Sequence, residues 1–218
     1  MQFTEEEDKL ISWLKQNYLN IILGFAIGFS FIGGYNYYKS STMNAMHQIS
    51  LDYEEIVKLY QTERFSDFTD KAQLLVEQDP ENIYSAMTNL YLSKYYHDSD
   101  QLELAKSSLS HIMANSESQP HVYIASVRLA RINISQGNYI DAIDILSDVT
   151  NNSTDPIILE LLGDIMLLQN DKLAAIKNYE LALSQNITPN KARLIESKLS
   201  TIRWNQESYY IHFYQLLY

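Results

Sequence analysis

Leu159-Glu160-Leu161-Leu162-Gly163-Asp164-Ile165-Met166, followed by Ala175-Ile176-Lys177-Asn178-Tyr179, is the stretch that decides the fold. It reads Leu-x-x-Leu-Gly-x-x-Met, then Ala-x-x-x-Tyr, with Ala182 and Pro189 beyond. A second copy lies upstream as Ser126-x-x-Leu129-Ala130-x-x-Asn133, Gly137-x-Tyr139, Ala142-x-x-x-Leu146 and Pro156. Gly163 follows Ala130 by 33 residues, and Ala175 follows Ala142 by the same 33. A weaker copy precedes both, with Leu92-Ser93-x-x-Tyr96, Ala105-x-x-x-Leu109 and Pro120. From Ala105 to Ala142 the step is 37, and the extra residues fall in the polar loop 114–119.

The spacing has a physical reason. Small residues at 93, 130 and 163 on one helix, and at 105, 142 and 175 on the next, let two backbones approach where they cross. Leu146 and Tyr179 fill the space beside that contact. A period near ~34 residues with these offsets is the tetratricopeptide pattern of stacked helix pairs. It predicts an all-α, right-handed helical stack, with degenerate repeats about 84–114, 121–150 and 155–185. A pattern of this kind specifies the fold far more strongly than the ligand. Residues 65–76 read as a short helix that Asp79-Pro80 ends. Residues 191–204 read as a helix capping the last repeat's apolar edge.

At the other end, no charged residue occurs from 16 to 38. A helix of ~21 residues rises ~31 Å, the thickness of a hydrocarbon core. Tyr18, Tyr35, Tyr37 and Tyr38 flank it, where amphipathic rings favour the headgroup zone. A cleaved signal peptide would have a shorter apolar core and a small-x-small site. Lys39-Ser40-Ser41-Thr42-Met43 offers none, so the segment reads as an uncleaved anchor. The expected organisation is a short cytoplasmic start (1–17), a transmembrane helix (18–38), the repeat domain (39–204) and an aromatic tail (205–218). Met43, Met46, Ile49, Tyr53, Ile56, Val57 and Tyr60 recur at helical spacing, so the anchor is expected to continue as an amphipathic helix. Lys9 and Lys15 before the helix, against Lys39 after it, vote for a cytoplasmic N-terminus and a periplasmic domain.

Composition narrows the function by exclusion. The 218 residues carry a formal charge of −11, which argues against a nucleic-acid partner. With no cysteine there is no disulfide, thiolate metal site or cysteine nucleophile. His47, His97, His111, His121 and His212 have no second ligand at metal spacing. No phosphate-binding loop, dinucleotide fingerprint or Gly-x-Ser-x-Gly occurs. Asp141, Asp144 and Asp148 fall on an expected solvated face. The reading is non-enzymatic, without cofactor, metal or small-molecule substrate.

Two surfaces could take partners. Counted from the repeat register, the first helices of the pairs present Leu90, Lys94, His97, Val127, Arg131, Ile134, Glu160, Asp164 and Leu167. Either these form a concave protein-binding groove or they pack between neighbouring helices. Lys94 and Arg131 stand alone there among apolar and acidic residues, so a ring of cations clamping a carboxylate looks absent. In the membrane segment, Gly24 and Gly28 form a Gly-x-x-x-Gly step, either a helix-contact face or a chance spacing. The tail 209–218 either packs back on the domain or is sticky in its own right.

The short N-terminal start, single anchor and degenerate three-repeat stack together resemble a bacterial envelope family. This is the ancillary subunit of the SecYEG translocon, also called the YfgM family. The closest passages run from Val127-Arg128-Leu129-Ala130-Arg131 to Ala142-Ile143-Asp144-Ile145-Leu146, and from Gly163-Asp164 through Ala175 to Asn186-Ile187-Thr188-Pro189. The resemblance covers residues 5–204 and leaves out the tail. It implies an inner-membrane protein with a periplasmic repeat domain, associated with the translocon and with a PpiD-type membrane-anchored chaperone. The implied role is passing newly translocated chains to periplasmic chaperones, with no catalytic residues. The rival reading is a structural scaffold in another envelope complex, for division or outer-membrane biogenesis.

Overall fold

The computed structural model describes residues 5–149 and 155–217, with side chains described for residues 7, 9–43, 46–149 and 155–203. Among these residues there are nine α-helices and no strand. They are α1 (Glu5–Gln61), α2 (Phe65–Gln78), α3 (Ile83–Asp98), α4 (Leu102–Asn115), α5 (Gln119–Ser135), α6 (Tyr139–Val149), α7 (Pro156–Leu168), α8 (Lys172–Leu183) and α9 (Pro189–Leu217). The chain divides into two compact units, one up to Glu55 and one from Ile56 onward.

The first unit is the bulk of α1. Its uncharged stretch is apolar all round and bare, with Leu23 60% and Phe31 76% exposed. A surface like that is stable only when hydrocarbon covers it, and a helix satisfies its own backbone there. The hydroxyl of Ser30 donates to the carbonyl of Ala26 at 2.8 Å, so its polar group needs no water. This is the transmembrane helix of the fold. The expected amphipathic extension exists as the same uninterrupted helix, which runs to Gln61.

The second unit is a tetratricopeptide-like stack. Ala105, Ala142 and Ala175 are fully buried, as are Ala130 and, nearly, Ser93. Leu109, Leu146 and Tyr179 fill the positions beside those small residues, each at most 1% exposed. Ala142 and Leu146 join Val127, Ala130, Ile158, Leu161 and Ile165 in one core cluster. Ala175 and Tyr179 join Leu159, Ala182 and three residues of α9, Ile195, Leu199 and Ile202, in another. The capping helix therefore closes the stack as expected. Its backbone continues to Leu217, well past 204, while the packing expected of the tail lies outside the described side chains.

The turns repeat one form, and it recurs once more upstream of the three repeats. Asp100, Gly137 and Asn170, between paired helices, have positive φ. So does Glu63, between α1 and α2. The hydrogen bonds repeat as well. Arg64 N–H reaches back to Leu59 O, Gln101 to Tyr96, Asn138 to Asn133 and Asp171 to Met166, at 2.7–3.0 Å. This is the left-handed helix stop, in which late carbonyls accept from beyond the helix end. The turn from α1 into α2 therefore has the same form as the three turns between paired helices. Phe68 takes the register position of Ala105, 37 residues on, and Ala72 that of Leu109. Both are fully buried, with the large and small members exchanged. Around Phe68 the rings of Tyr60, Phe65 and Tyr95 gather, with Tyr60 also packed edge-on against Tyr91.

Candidate protein-binding groove

Helices α3 and α5 are the first members of consecutive pairs, and a cavity of about 270 Å³ opens between them. Ser93, Lys94 and His97 line it from α3, Leu109 from α4, and Arg128, Arg131, Ile132 and Ser135 from α5. Of the nine expected groove residues, Lys94, His97 and Arg131 come together here. Their helical spacing explains it. Lys94 with His97, and Arg128 with Arg131, are i, i+3 neighbours sharing one face. Arg128 is the addition. Counting the register through Val127 passed over it, although Arg131 three residues on would have pointed to it.

The floor of the cavity is aliphatic, since Leu109 and Ile132 belong to the buried core. Its rim is cationic. The ammonium of Lys94 donates to Asp98 at 2.6 Å, and that hydrogen bond holds the lysine above its usual range and Asp98 below the usual carboxylate range. Arg128 donates weakly to the Leu90 carbonyl at 3.4 Å. Arg131 has no ion-pair partner among the described residues.

The other expected residues sit differently. Val127 is in the core, and Ile134 and Leu167 are partly buried against the two core clusters. Glu160 is 4% exposed and faces α9. Lys198 donates to Glu160 and to both oxygens of Asp164 at 2.7 Å, and Lys191 also pairs with Glu160. Burial alone would push the Glu160 carboxyl up, yet hydrogen bonds from Lys191 and Lys198 outweigh it and leave it below its ordinary value. Asp164 also accepts from the hydroxyl of Tyr179 at 2.6 Å, and burial followed by that bond drives the phenol far up. These carboxylates dock the capping helix. Nearby, burial and Asp155 push Tyr123 up to about 12, its hydroxyl lying 3.0 Å from the Asp155 carboxylate that caps α7.

In the membrane unit, Gly24 and Gly28 share one face of α1 with Ile21, Phe25, Phe29 and Ile32. Nothing lies within 4 Å of where either glycine's side chain would project, so the face is open. Asp141, Asp144 and Asp148 are exposed on α6. No group of His, Asp and Glu able to hold a metal occurs among the described residues.

Residues 11–203 match the family model described as a tetratricopeptide repeat-like domain. Three relatives align over nearly their full lengths. A protein of Aggregatibacter actinomycetemcomitans is 27% identical, over 93% of this chain and 100% of its own. One from Escherichia coli (strain K12) is 22% identical over 93% and 99%. One from Buchnera aphidicola subsp. Acyrthosiphon pisum is 25% identical over 87% and 96%. All three are named ancillary SecYEG translocon subunit.

Proposed function

The chain belongs to the tetratricopeptide repeat-like family, and from that premise we propose that it is a non-catalytic inner-membrane adaptor of the SecYEG translocon. Its role is to help pass newly translocated proteins to periplasmic chaperones, with a PpiD-type membrane-anchored chaperone as the second partner. The observation that carries the reading is a bare apolar helix and a repeat stack in one chain, aligned end to end with relatives named for the translocon. A repeat surface binds polypeptide, and an anchor confines it to the membrane plane where translocated chains emerge. The bias of Lys9 and Lys15 over Lys39 favours a cytoplasmic N-terminus, which sets the stack in the periplasm.

Purification of the full chain from native membranes in mild detergent tests this. SecY, SecE, SecG and the chaperone are expected to co-purify well above their level with an unrelated single-pass protein. Enrichment of none of them would sink the proposal. A reporter active only in the periplasm, fused after Trp204, is expected to be active, and activity from a cytoplasmic reporter there would reverse the orientation.

A further inference from the structure

From Ile56 onward, the two most exposed large aliphatic side chains among the described residues are Leu173 at 77% and Ile140 at 75%. A lone aliphatic on a surface needs no explanation. These two are related by the repeat. Leu173 follows Ile140 by 33 residues, so both hold one register position, two before Ala142 on α6 and two before Ala175 on α8. The preceding pair has Glu103 there. One turn further on stand Asp144 on α6 and Lys177 on α8, again 33 residues apart and both exposed. The i, i+4 spacing sets each charge beside its aliphatic on one helix face. Neither charge forms an ion pair among the described residues. The neighbours follow suit. Helix α6 has Asp141 and Asp148 exposed and no cation, whereas α8 adds Lys172, and its Glu180 is taken up by Arg203 at 2.6 Å. From α6 to α8 the register keeps the aliphatic and inverts the charge.

We infer that this face binds a second copy of the chain, with α6 of each copy against α8 of the other. A two-fold axis running along the helices between α6 and α8 makes both contacts at once. Equal register means equal height along that axis. Ile140 then covers the partner's Leu173 while Asp144 meets the partner's Lys177, and each pairing occurs twice. The alternatives carry their own penalty. Packing α6 on α6 would set Asp144 against itself, and α8 on α8 would do the same to Lys177, so like charges reject both. The formal charge of −11 opposes association of two copies in general, and the cations of α8 make this face the exception. Two copies anchored in one membrane also meet at a raised effective concentration, so a small contact suffices.

The chain has no cysteine, so introduced thiols are the only ones it carries. Full-length Ile140→Cys and Leu173→Cys chains, bearing different tags, are made separately and together in native membranes and oxidised there. Made together, they are expected to give a disulfide-linked product holding both tags, with the mass of two chains. Either chain made alone is expected to give at least about fivefold less, because its own thiols lie diagonally across the axis, beyond the ~7 Å that a disulfide spans. Asp144→Lys placed in both chains is expected to lower the mixed product about tenfold, since the substitution acts twice in a two-fold dimer. Adding Lys177→Asp to both is expected to restore it to within about twofold, the charges having been exchanged. All four substituted positions are exposed, and recovery in the exchanged chains shows that the fold survives. No mixed product, equal product from either chain alone, a product of another mass, or an exchange that fails to restore cross-linking overturns the pairing. Self-association on this face is separate from translocon co-purification, so either can fail without the other.

Discussion

A Cβ at Gly163 would come 2.5 Å from Cε1 of Tyr179 and 2.7 Å from Cδ1, so the ring of one helix occupies the space a side chain of the other would need. The ring cannot swing aside. It is fully buried, and its hydroxyl is tied to Asp164 at 2.6 Å. Gly163→Ala is therefore expected to cost ~1–3 kcal/mol by overpacking, seen as a lower melting temperature. Adding Tyr179→Leu should cancel part of that loss, because the clash goes with the ring. Strict additivity of the two losses would show that the residues do not compete for one space.

The same crossing can be tested from its other side. Ala175 is fully buried, whereas Lys177, two residues on, is exposed. Ala175→Leu should destabilise by ~1–3 kcal/mol, and Lys177→Leu should leave stability within ~0.5 kcal/mol. Thermal denaturation of the two full-length variants in one detergent decides it. Equal losses contradict the register.

Acid should loosen the capping helix. The Glu160 carboxyl lies below its ordinary value in the folded chain, despite the upward push of burial, because Lys191 and Lys198 hold its charged form. A group depressed in this way stabilises fully above its unfolded value, near 4.5. That contribution is lost as pH falls below this value and through the folded one. In Glu160→Gln this part of the acid sensitivity should disappear. Lys198→Met, which strips a partner from a buried charge, should cost ~3–5 kcal/mol near neutral pH. Melting curves from pH 7 down to 3 read both effects, and an unchanged acid profile in Glu160→Gln would refute the assignment.

Four turns between successive helices each hold one left-handed residue, and of these four only Gly137 is glycine. Gly137 has φ of 80°, and nothing lies within 4 Å of where its side chain would point. The cost of Gly137→Ala is thus backbone strain alone, ~1 kcal/mol. Conversely, Glu63 holds φ of 57° with a side chain, and Glu63→Gly should stabilise by ~0.5–1 kcal/mol. Chemical denaturation with an unchanged slope would check each. A destabilised Glu63→Gly would argue that the first turn is held by its side chain rather than by backbone preference.

How far the sequence went depended on whether size followed the repeat. Ala105, Ala142 and Ala175 keep the small member of the crossing at one register position, so three pairs and the cap were legible. At the corresponding positions of α2, Phe68 and Ala72 reverse the order of large and small, which erases the motif. Lys94, His97 and Arg131 line one cavity because they follow the repeat register from α3 to α5. The roles of Glu160 and Asp164 were not legible, since they depend on Lys191 and Lys198, more than thirty residues away. The charge of Glu160 looked like groove chemistry until α9 lay across it.

That arrangement bears on synthesis, which proceeds from the anchor toward the C-terminus. Helix α7 emerges bearing a carboxylate that will end almost wholly buried, and both lysines that neutralise it arrive later, on the final helix. Until then the last repeat holds an exposed apolar edge beside an uncompensated charge, a combination that resists closing. A product cut short at residue 188 should accordingly be degraded faster in pulse-chase than one ending at 204, which retains both lysines. The closing helix thus makes the stability of the last repeat conditional on residues made after it, from Lys191 to Ile202.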